Sequence, residues 1–145
     1  MTDTLTRQQR HRCMSAVRNR DTAPELALKR ALRAAGLRYR SQGASLPGTP
    51  DVVLRERRAV IMVHGCFWHM HTCRKGTISP RTHAAFWRQK RNRNRVRDRR
   101  VRAELVALGW RVITIWECQA HDLDRLTSRL ILMTREKGRR VRKAR

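Results

Sequence analysis

Long apolar segments are missing from this sequence. No run approaches the roughly 20 apolar residues that a transmembrane helix needs, and residues 1–7 lack the apolar core of a secretory signal peptide. We therefore expect an intracellular, cytoplasmic protein without a membrane span. In that reducing compartment the four cysteines are better suited to metal ligation or to free thiols than to disulfides.

Acidic residues are also scarce. The chain has 11 Asp and Glu against 35 Lys and Arg, which sets its formal net charge at +24. A codon preference can replace Lys with Arg, but it does not explain the shortage of acids. Charge of this size repels itself unless a polyanion offsets it, and nucleic acid is the commonest polyanion. The composition therefore predicts nucleic-acid binding.

A chain of 145 residues is most simply one domain. We expect a single folded unit over 1–136, which includes a basic N-terminal arm, and a basic, disordered tail over 137–145. Residues 1–21 have two interpretations: an arm or helix that follows a phosphate backbone, or a solvated terminus.

Hydrophobic periodicity predicts the order α-β-β-β-α-β-α, a small mixed sheet flanked by helices in the α/β class. Thr22 and Glu25 have capping-box spacing at the start of the first helix, and Gly36 ends it. The other predicted elements are strands over 37–40, 51–54 and 59–63, one or two helices over 82–108, a strand over 110–116 and a helix over 123–133.

The two central strands form a predicted hairpin. Centred between Arg57 and Arg58, it would place Asp51 directly across from His64, at one end of the ladder. A parallel crossover through the long helix would set the strand over 110–116 beside this hairpin.

A short stretch after the second hairpin strand is rich in metal-binding residue types. Cys66, His71 and Cys73 are spaced as ligands on a loop, and Cys118 can supply a fourth ligand from a neighbouring strand end. Three Cys and one His form a closed tetrahedral set typical of structural zinc. The alternative is reduced cysteine in a core. Cys13 is left over as a buried or surface thiol.

Two histidines of this stretch remain once the zinc ligands are assigned. His64 and His69, together with Asp51, suit metal-assisted phosphodiester hydrolysis, with the carboxylate on Mg²⁺ and an imidazole taking a proton from water. The adjacent Phe67 and Trp68 could stack on bases or wedge between them, and Trp87 could join them. The alternative is that at least one of Phe67 and Trp68 packs in the core.

The stretch as a whole resembles the signature of the very-short-patch repair (Vsr) DNA mismatch endonucleases. The likeness runs from about residue 7 to residue 120. Its motifs are His64-Gly65-Cys66-Phe67-Trp68-His69-Met70-His71-Thr72-Cys73, Arg20-Asp21-Thr22, Ser45-Leu46-Pro47-Gly48-Thr49-Pro50-Asp51, Arg97-Asp98-Arg99-Arg100, Leu108-Gly109-Trp110-Arg111-Val112 and Trp116-Glu117-Cys118.

The resemblance implies a restriction-endonuclease-like fold and a role for each site residue. Asp51 would hold Mg²⁺ with the backbone carbonyl of Val63, where the family pattern has Thr. His69 would be the general base, His64 would assist at the water or phosphate, and Glu25 would support His69. Structural Zn²⁺ would be held by Cys66, His71, Cys73 and Cys118, and the DNA wedge would be Phe67, Trp68 and Trp87.

The implied substrate is double-stranded DNA with a T·G mismatch, formed when 5-methylcytosine deaminates. The enzyme would nick the T strand on the 5′ side of that T. We expect a monomer that is nucleoid-associated when bound to DNA, with mismatch-repair proteins as candidate partners. Two rival functions are a non-catalytic zinc module that binds DNA or RNA, and a restriction-type nuclease that cuts unmismatched DNA.

Overall fold

A computed structural model describes residues 6–16 and 21–135. The predicted tail and the arm residues 1–5 and 17–20 lie outside these ranges. The described helices are α1 (Arg7–Ala16), α2 (Ala23–Ala34), α3 (Ala84–Ala107) and α4 (Leu123–Thr134), and the strands are β1 (Arg40–Ser41), β2 (Val52–Leu54), β3 (Ala59–His64) and β4 (Arg111–Trp116). The predicted order is confirmed, with α1 added before it.

The four strands form one mixed sheet in the order β1-β2-β3-β4. β1, β2 and β3 are antiparallel neighbours, whereas β3 and β4 run parallel. A parallel pair needs a long crossover, and α3 with its flanking loops supplies it. The predicted place of β4 beside the hairpin is therefore confirmed.

Side chains alternate across the sheet, so each face has its own apolar cluster. One face packs against α2 and α4 through a buried set that includes Leu28, Leu32, Leu54, Ile61, Ile113, Ile115, Leu126 and Leu130. The other face packs against α3 through Val53, Val60, Val101 and Leu105. The even-numbered residues of β3 therefore face α3.

The hairpin register differs from the prediction. Val52 pairs with Ile61 and Leu54 with Ala59, so one further step sets Asp51 level with Met62 rather than with His64. The reason is the connection: a 3₁₀ turn over Arg55–Arg57 is followed by Arg58 in the left-handed region at φ 48°. The turn is therefore centred between Glu56 and Arg57, one residue earlier than predicted. This moves the register by two residues, which leaves Asp51 on the same face of the sheet.

The start of α2 is a variant of the predicted capping box. Thr22 is the N-cap but makes no side-chain cap bond to the helix backbone. Its hydroxyl donates instead to Glu25 Oε1 at 2.9 Å, and the backbone N–H of Asp21 donates to Glu25 Oε2 at 2.9 Å. Gly36 follows the helix at φ +66°, as a C′ residue should.

The longest helix, α3, has 24 residues and carries a dense run of arginine. Within 6–16 and 21–135, no helix combines the length and the apolar character that crossing a membrane requires.

Candidate active site and metal centre

A cavity of about 340 Å³ lies where the end of β3 meets α3 and the loop before β2. Alternation along the hairpin turns Asp51 and His64 toward α3, so the tertiary fold brings together the acid and the histidines. The residues that line the cavity are Gly48, Thr49, Asp51, Met62, Val63, His64, His69, Arg97, Asp98 and Val101.

Asp51 is half-buried, and its Oδ2 accepts a hydrogen bond of 2.6 Å from the backbone N–H of Val63. Burial raises the pKa of Asp51 more than this bond lowers it. The negative charge of Glu25 also raises the pKa of Asp51, so Glu25 acts electrostatically on this site. A half-buried carboxylate with a raised pKa is stabilised by a cation beside it, so the site fits a divalent metal ion.

His64 and His69 stack face to face, with ring centroids 4.0 Å apart and an angle of 7° between the planes. Burial, and to a smaller extent the neighbouring His69, lower the pKa of His64 to about 4. His64 is therefore neutral at pH 7. Their nitrogens and an Asp98 oxygen lie within 4.8 Å of one another. An imidazole binds metal in its own ring plane, so two parallel rings do not share one ion in this arrangement.

The hydrogen-bond partner of His69 is Asp98, on α3. Nδ1 of His69 lies 2.5 Å from Oδ2 of Asp98, and both side chains are mostly buried. The Glu25 carboxylate makes its hydrogen bonds at the start of α2, so support of His69 by Glu25 stays a prediction. Sequence reasoning missed this role of Asp98, although a single acid within a long run of arginines is a signal that could have indicated it.

The proposed zinc ligands converge on one point. The donor atoms of Cys66, His71, Cys73 and Cys118 all lie within 4.8 Å of one another. Cys118 arrives from a short 3₁₀ turn after β4, and the parallel pairing of His64 with Trp116 sets that turn beside Cys66. The sheet thus closes a gap of 45 residues between Cys73 and Cys118.

The chemistry of this group fits a bound metal ion. Burial raises the pKa of the Cys66 thiol to about 12, whereas a hydrogen bond with His71 lowers the pKa of Cys73 to about 6. A divalent cation would favour the thiolate at both positions. Zinc takes three sulfurs and one imidazole nitrogen in tetrahedral sites, which matches the donors present.

Arg91 fastens the loop that carries Cys66, His71 and Cys73 to α3. Its side chain is only 6% exposed. It donates to the backbone carbonyls of Phe67 at 2.7 Å and Ile78 at 3.0 Å, and also to the carbonyl of Gly76. Within the loop, a Cβ on Gly76 would overlap the backbone of His71. Nothing in the sequence distinguishes Arg91 from its neighbouring arginines.

The aromatic side chains form a half-buried cluster beside this loop. Phe67 and Trp68 meet edge to face with ring centroids 5.1 Å apart, and Trp87 lies 6.0 Å and 5.8 Å from them. Asn94 donates to the carbonyl of Trp68 at 3.2 Å, and the Lys90 ammonium lies 5.0 Å from the Trp68 ring centroid. None of the three rings belongs to either buried core cluster.

The sheet flanked by helices and the acid–histidine cavity at its edge define a nuclease with the restriction-endonuclease-like fold. A family model described as "DNA mismatch endonuclease Vsr" matches residues 2–75. The chain belongs to this Vsr family of DNA mismatch endonucleases, as its motifs predicted.

Relatives cover most of the chain. The type II nicking enzyme V.XorIIP of Xanthomonas oryzae pv. oryzae is 45% identical over 130 residues, which span 90% of this chain and 95% of that enzyme. The DNA mismatch endonuclease Vsr of Escherichia coli is 45% identical over 127 residues, 88% of this chain and 81% of that protein. The type II nicking enzyme V.NmeAIP of Neisseria meningitidis is 36% identical over 94% of this chain and 96% of its own.

Proposed function

We propose that this protein nicks the T strand of a T·G mismatch in double-stranded DNA, on the 5′ side of that T, and so initiates very-short-patch repair. The mismatch arises by deamination of 5-methylcytosine. The observation that carries the proposal is that Asp51 and a His69 held by Asp98 line one cavity. Relatives named as a mismatch endonuclease and as nicking enzymes support it.

Asp51 is the proposed protein ligand of Mg²⁺, together with the backbone carbonyl of Val63. Bound there, Mg²⁺ would offset the negative charge that develops on the phosphate in the transition state. The half-buried carboxylate with its raised pKa supports this assignment. Glu25 would then act through the electrostatics of Asp51.

His69 is the proposed general base. Asp98 accepts a hydrogen bond from the Nδ1–H of His69, which leaves Nε2 as the proton acceptor. As the water oxygen forms its bond to phosphorus, its proton passes to Nε2, and the Asp98 carboxylate stabilises the resulting imidazolium. The bond from phosphorus to the leaving sugar oxygen breaks in the same displacement, and that oxygen takes up a proton from solvent. His64 is neutral at pH 7, so it can assist at the water or the phosphate without repelling that imidazolium.

The aromatic cluster is the proposed wedge. Phe67, Trp68 and Trp87 would enter the base stack beside the mismatch, since inserted side chains partly unstack and kink a duplex. Zn²⁺ held by Cys66, His71, Cys73 and Cys118 would keep the loop rigid. Because every catalytic candidate comes from one chain, we expect the monomer to act.

A heteroduplex assay tests the proposal. Each strand of a duplex with one T·G mismatch is labelled separately, incubated with Mg²⁺ and resolved on a denaturing gel, beside the matched T·A and C·G duplexes. The expected result is a nick in the T strand of the heteroduplex alone, lost in Asp51→Ala. Equal cutting of the matched duplexes would indicate a restriction-type nuclease. Binding without any nick would indicate a non-catalytic module.

A further inference from the structure

The cavity at Asp51 is lined by a cationic side chain, that of Arg97, which is available to bind a ligand. Among the described residues that line it, Arg97 is the one Lys or Arg. The other ionisable groups there are two carboxylates, Asp51 and Asp98, and two imidazoles. Within the described ranges, the Arg97 guanidinium has no hydrogen bond or ion pair, so all of its donors are available to a ligand.

Other arginines of α3 either have partners of their own or do not line this cavity. Arg91 is buried against loop carbonyls, Arg100 lies 3.5 Å from Glu104, and Arg102 donates to the carbonyl of Val112 at 3.2 Å. Arg93 lines only an outer surface of the helix. Helical spacing turns Arg97 toward the cavity because it lies four residues before Val101, which also lines it.

We propose that Arg97 is a catalytic residue that binds a non-bridging oxygen of the scissile phosphate and stabilises the charge that develops there. This role rests on the proposed nuclease function. Phosphoryl transfer places negative charge on these oxygens, and a cation that contacts them from the wall of the cavity lowers the barrier. A guanidinium also matches phosphate with two parallel hydrogen bonds.

The arrangement of the cavity agrees with this position. Arg97 on α3 lines the same cavity as Asp51 and the stacked rings of His64 and His69. A phosphate placed between Asp51 and Arg97 would have a cation on each side: the proposed metal ion at Asp51 and the guanidinium of Arg97 on α3. His69 would lie beside that phosphate.

The plainer alternative is that Arg97 is one of many backbone contacts. It also lines the outer surface of α3 with Arg88, Arg93 and Arg100. A general contact would weaken binding of any duplex and leave the rate of the bound complex unchanged. Arg93, on that same surface but outside the cavity, is the matched control.

The first measurement is the single-turnover nicking rate at saturating enzyme. For Arg97→Gln we expect a loss of about 100-fold or more, the size seen when one transition-state donor is removed, with part of the rate recovered in Arg97→Lys. Arg93→Gln should stay within about 3-fold of wild type, because a contact made equally before and during the reaction leaves this rate unchanged. Equal rates for Arg97→Gln and wild type would overturn the proposal.

The second measurement needs no activity. Affinity for the T·G duplex is measured without Mg²⁺, with a normal or a neutral methylphosphonate linkage at the scissile position. Arg97→Gln should weaken binding of the normal duplex by several-fold and leave the methylphosphonate duplex unaffected, whereas the Arg93→Gln loss should persist in both. If Arg97→Gln weakens binding of both the normal and the methylphosphonate duplex, the proposed role of Arg97 is overturned, even when the wild type nicks DNA. If the wild type does not nick, the proposed function fails and this binding cycle still decides the role of Arg97.

Discussion

Asp98 holds His69 by a hydrogen bond of 2.5 Å between Oδ2 and Nδ1. The bond joins the loop that carries Cys66, His71 and Cys73 to α3, across 29 residues of sequence. It sets the tautomer and the direction of the imidazole, which is what a general base requires.

Asp98→Asn should lower the nicking rate, because it changes the partner of His69, while the protein stays folded. The Asn side chain keeps the size of Asp but does not hold the charge that stabilises an imidazolium, so we expect the single-turnover nicking rate to fall by about 100-fold or more. Asp124→Asn, at an exposed position on α4, is the control and should leave the rate unchanged. Circular dichroism melts verify folding. A loss smaller than about 3-fold, within the range of an unimportant contact, would contradict the role of Asp98.

Asp51→Asn should stabilise the metal-free protein at neutral pH. Because burial raises the pKa of Asp51 above the ordinary 3.8, the ionised carboxylate destabilises the fold. That penalty is absent below pH 3.8, grows as pH rises to the folded-state pKa, and is constant above it. The unfolding midpoint of Asp51→Asn should therefore exceed that of wild type at pH 7, and the difference should shrink toward about pH 3.

Adding Mg²⁺ in the same melts gives a second readout, since a cation should stabilise wild type more than Asp51→Asn. Asp124→Asn serves again as the exposed carboxylate control. A lower midpoint for Asp51→Asn than for wild type at pH 7 without metal would show that the carboxylate is not strained by burial.

Cys118→Ser should release the metal ion that the four-residue group is proposed to hold. Loss of one thiolate ligand should weaken zinc binding by at least about 10–100-fold, the cost of losing even an outer partner of a metal ligand. The metal content of purified protein, measured by mass spectrometry, should fall from one equivalent toward zero. Cys13→Ser changes an exposed cysteine outside the group and should retain the metal. Full metal content in Cys118→Ser would refute the four-ligand set.

Arg91→Met should destabilise the protein without altering its surface. It leaves three backbone carbonyls without their charged donor, and we expect a loss of about 2–4 kcal/mol in the free energy of unfolding. Urea denaturation followed by tryptophan fluorescence measures it. Arg88→Met, at an exposed position on the same helix, should change stability by less than about 0.5 kcal/mol. Similar losses in both variants would mean that Arg91 does not fasten the loop.

Much of the fold could be predicted from sequence because its signals are local. The β-branched run over 111–116 and the turn signals around it predict β4 without reference to the rest of the chain. Helix α2 was predicted from Thr22, Pro24 and Gly36 in the same way. The hairpin register was wrong, because the turn is centred one residue earlier than predicted and its residues do not specify its conformation.

In the candidate site, too, the residues with local sequence signals could be predicted and the others could not. Cysteine and histidine are so distinctive in their chemistry that Cys66, His71, Cys73 and Cys118 could be grouped from residue type and spacing. Asp98, Arg91 and Arg97 could not, because the segment of the helix that carries them is dense in charge and has no apolar stripe to reveal its orientation.

The sequence by itself determined the chemistry of this protein: the metal ligands, the acid and histidines, the aromatic pair and the basic charge. Only the tertiary structure decided which charged residues contact the candidate site. Parallel pairing of β3 with β4 places α3 across the cavity, and that placement turns Arg91 to the loop, Asp98 to His69 and Arg97 to the cavity. Residues of one type in one helix thus differ in role because burial and partners depend on the packing of distant segments, which local sequence does not encode.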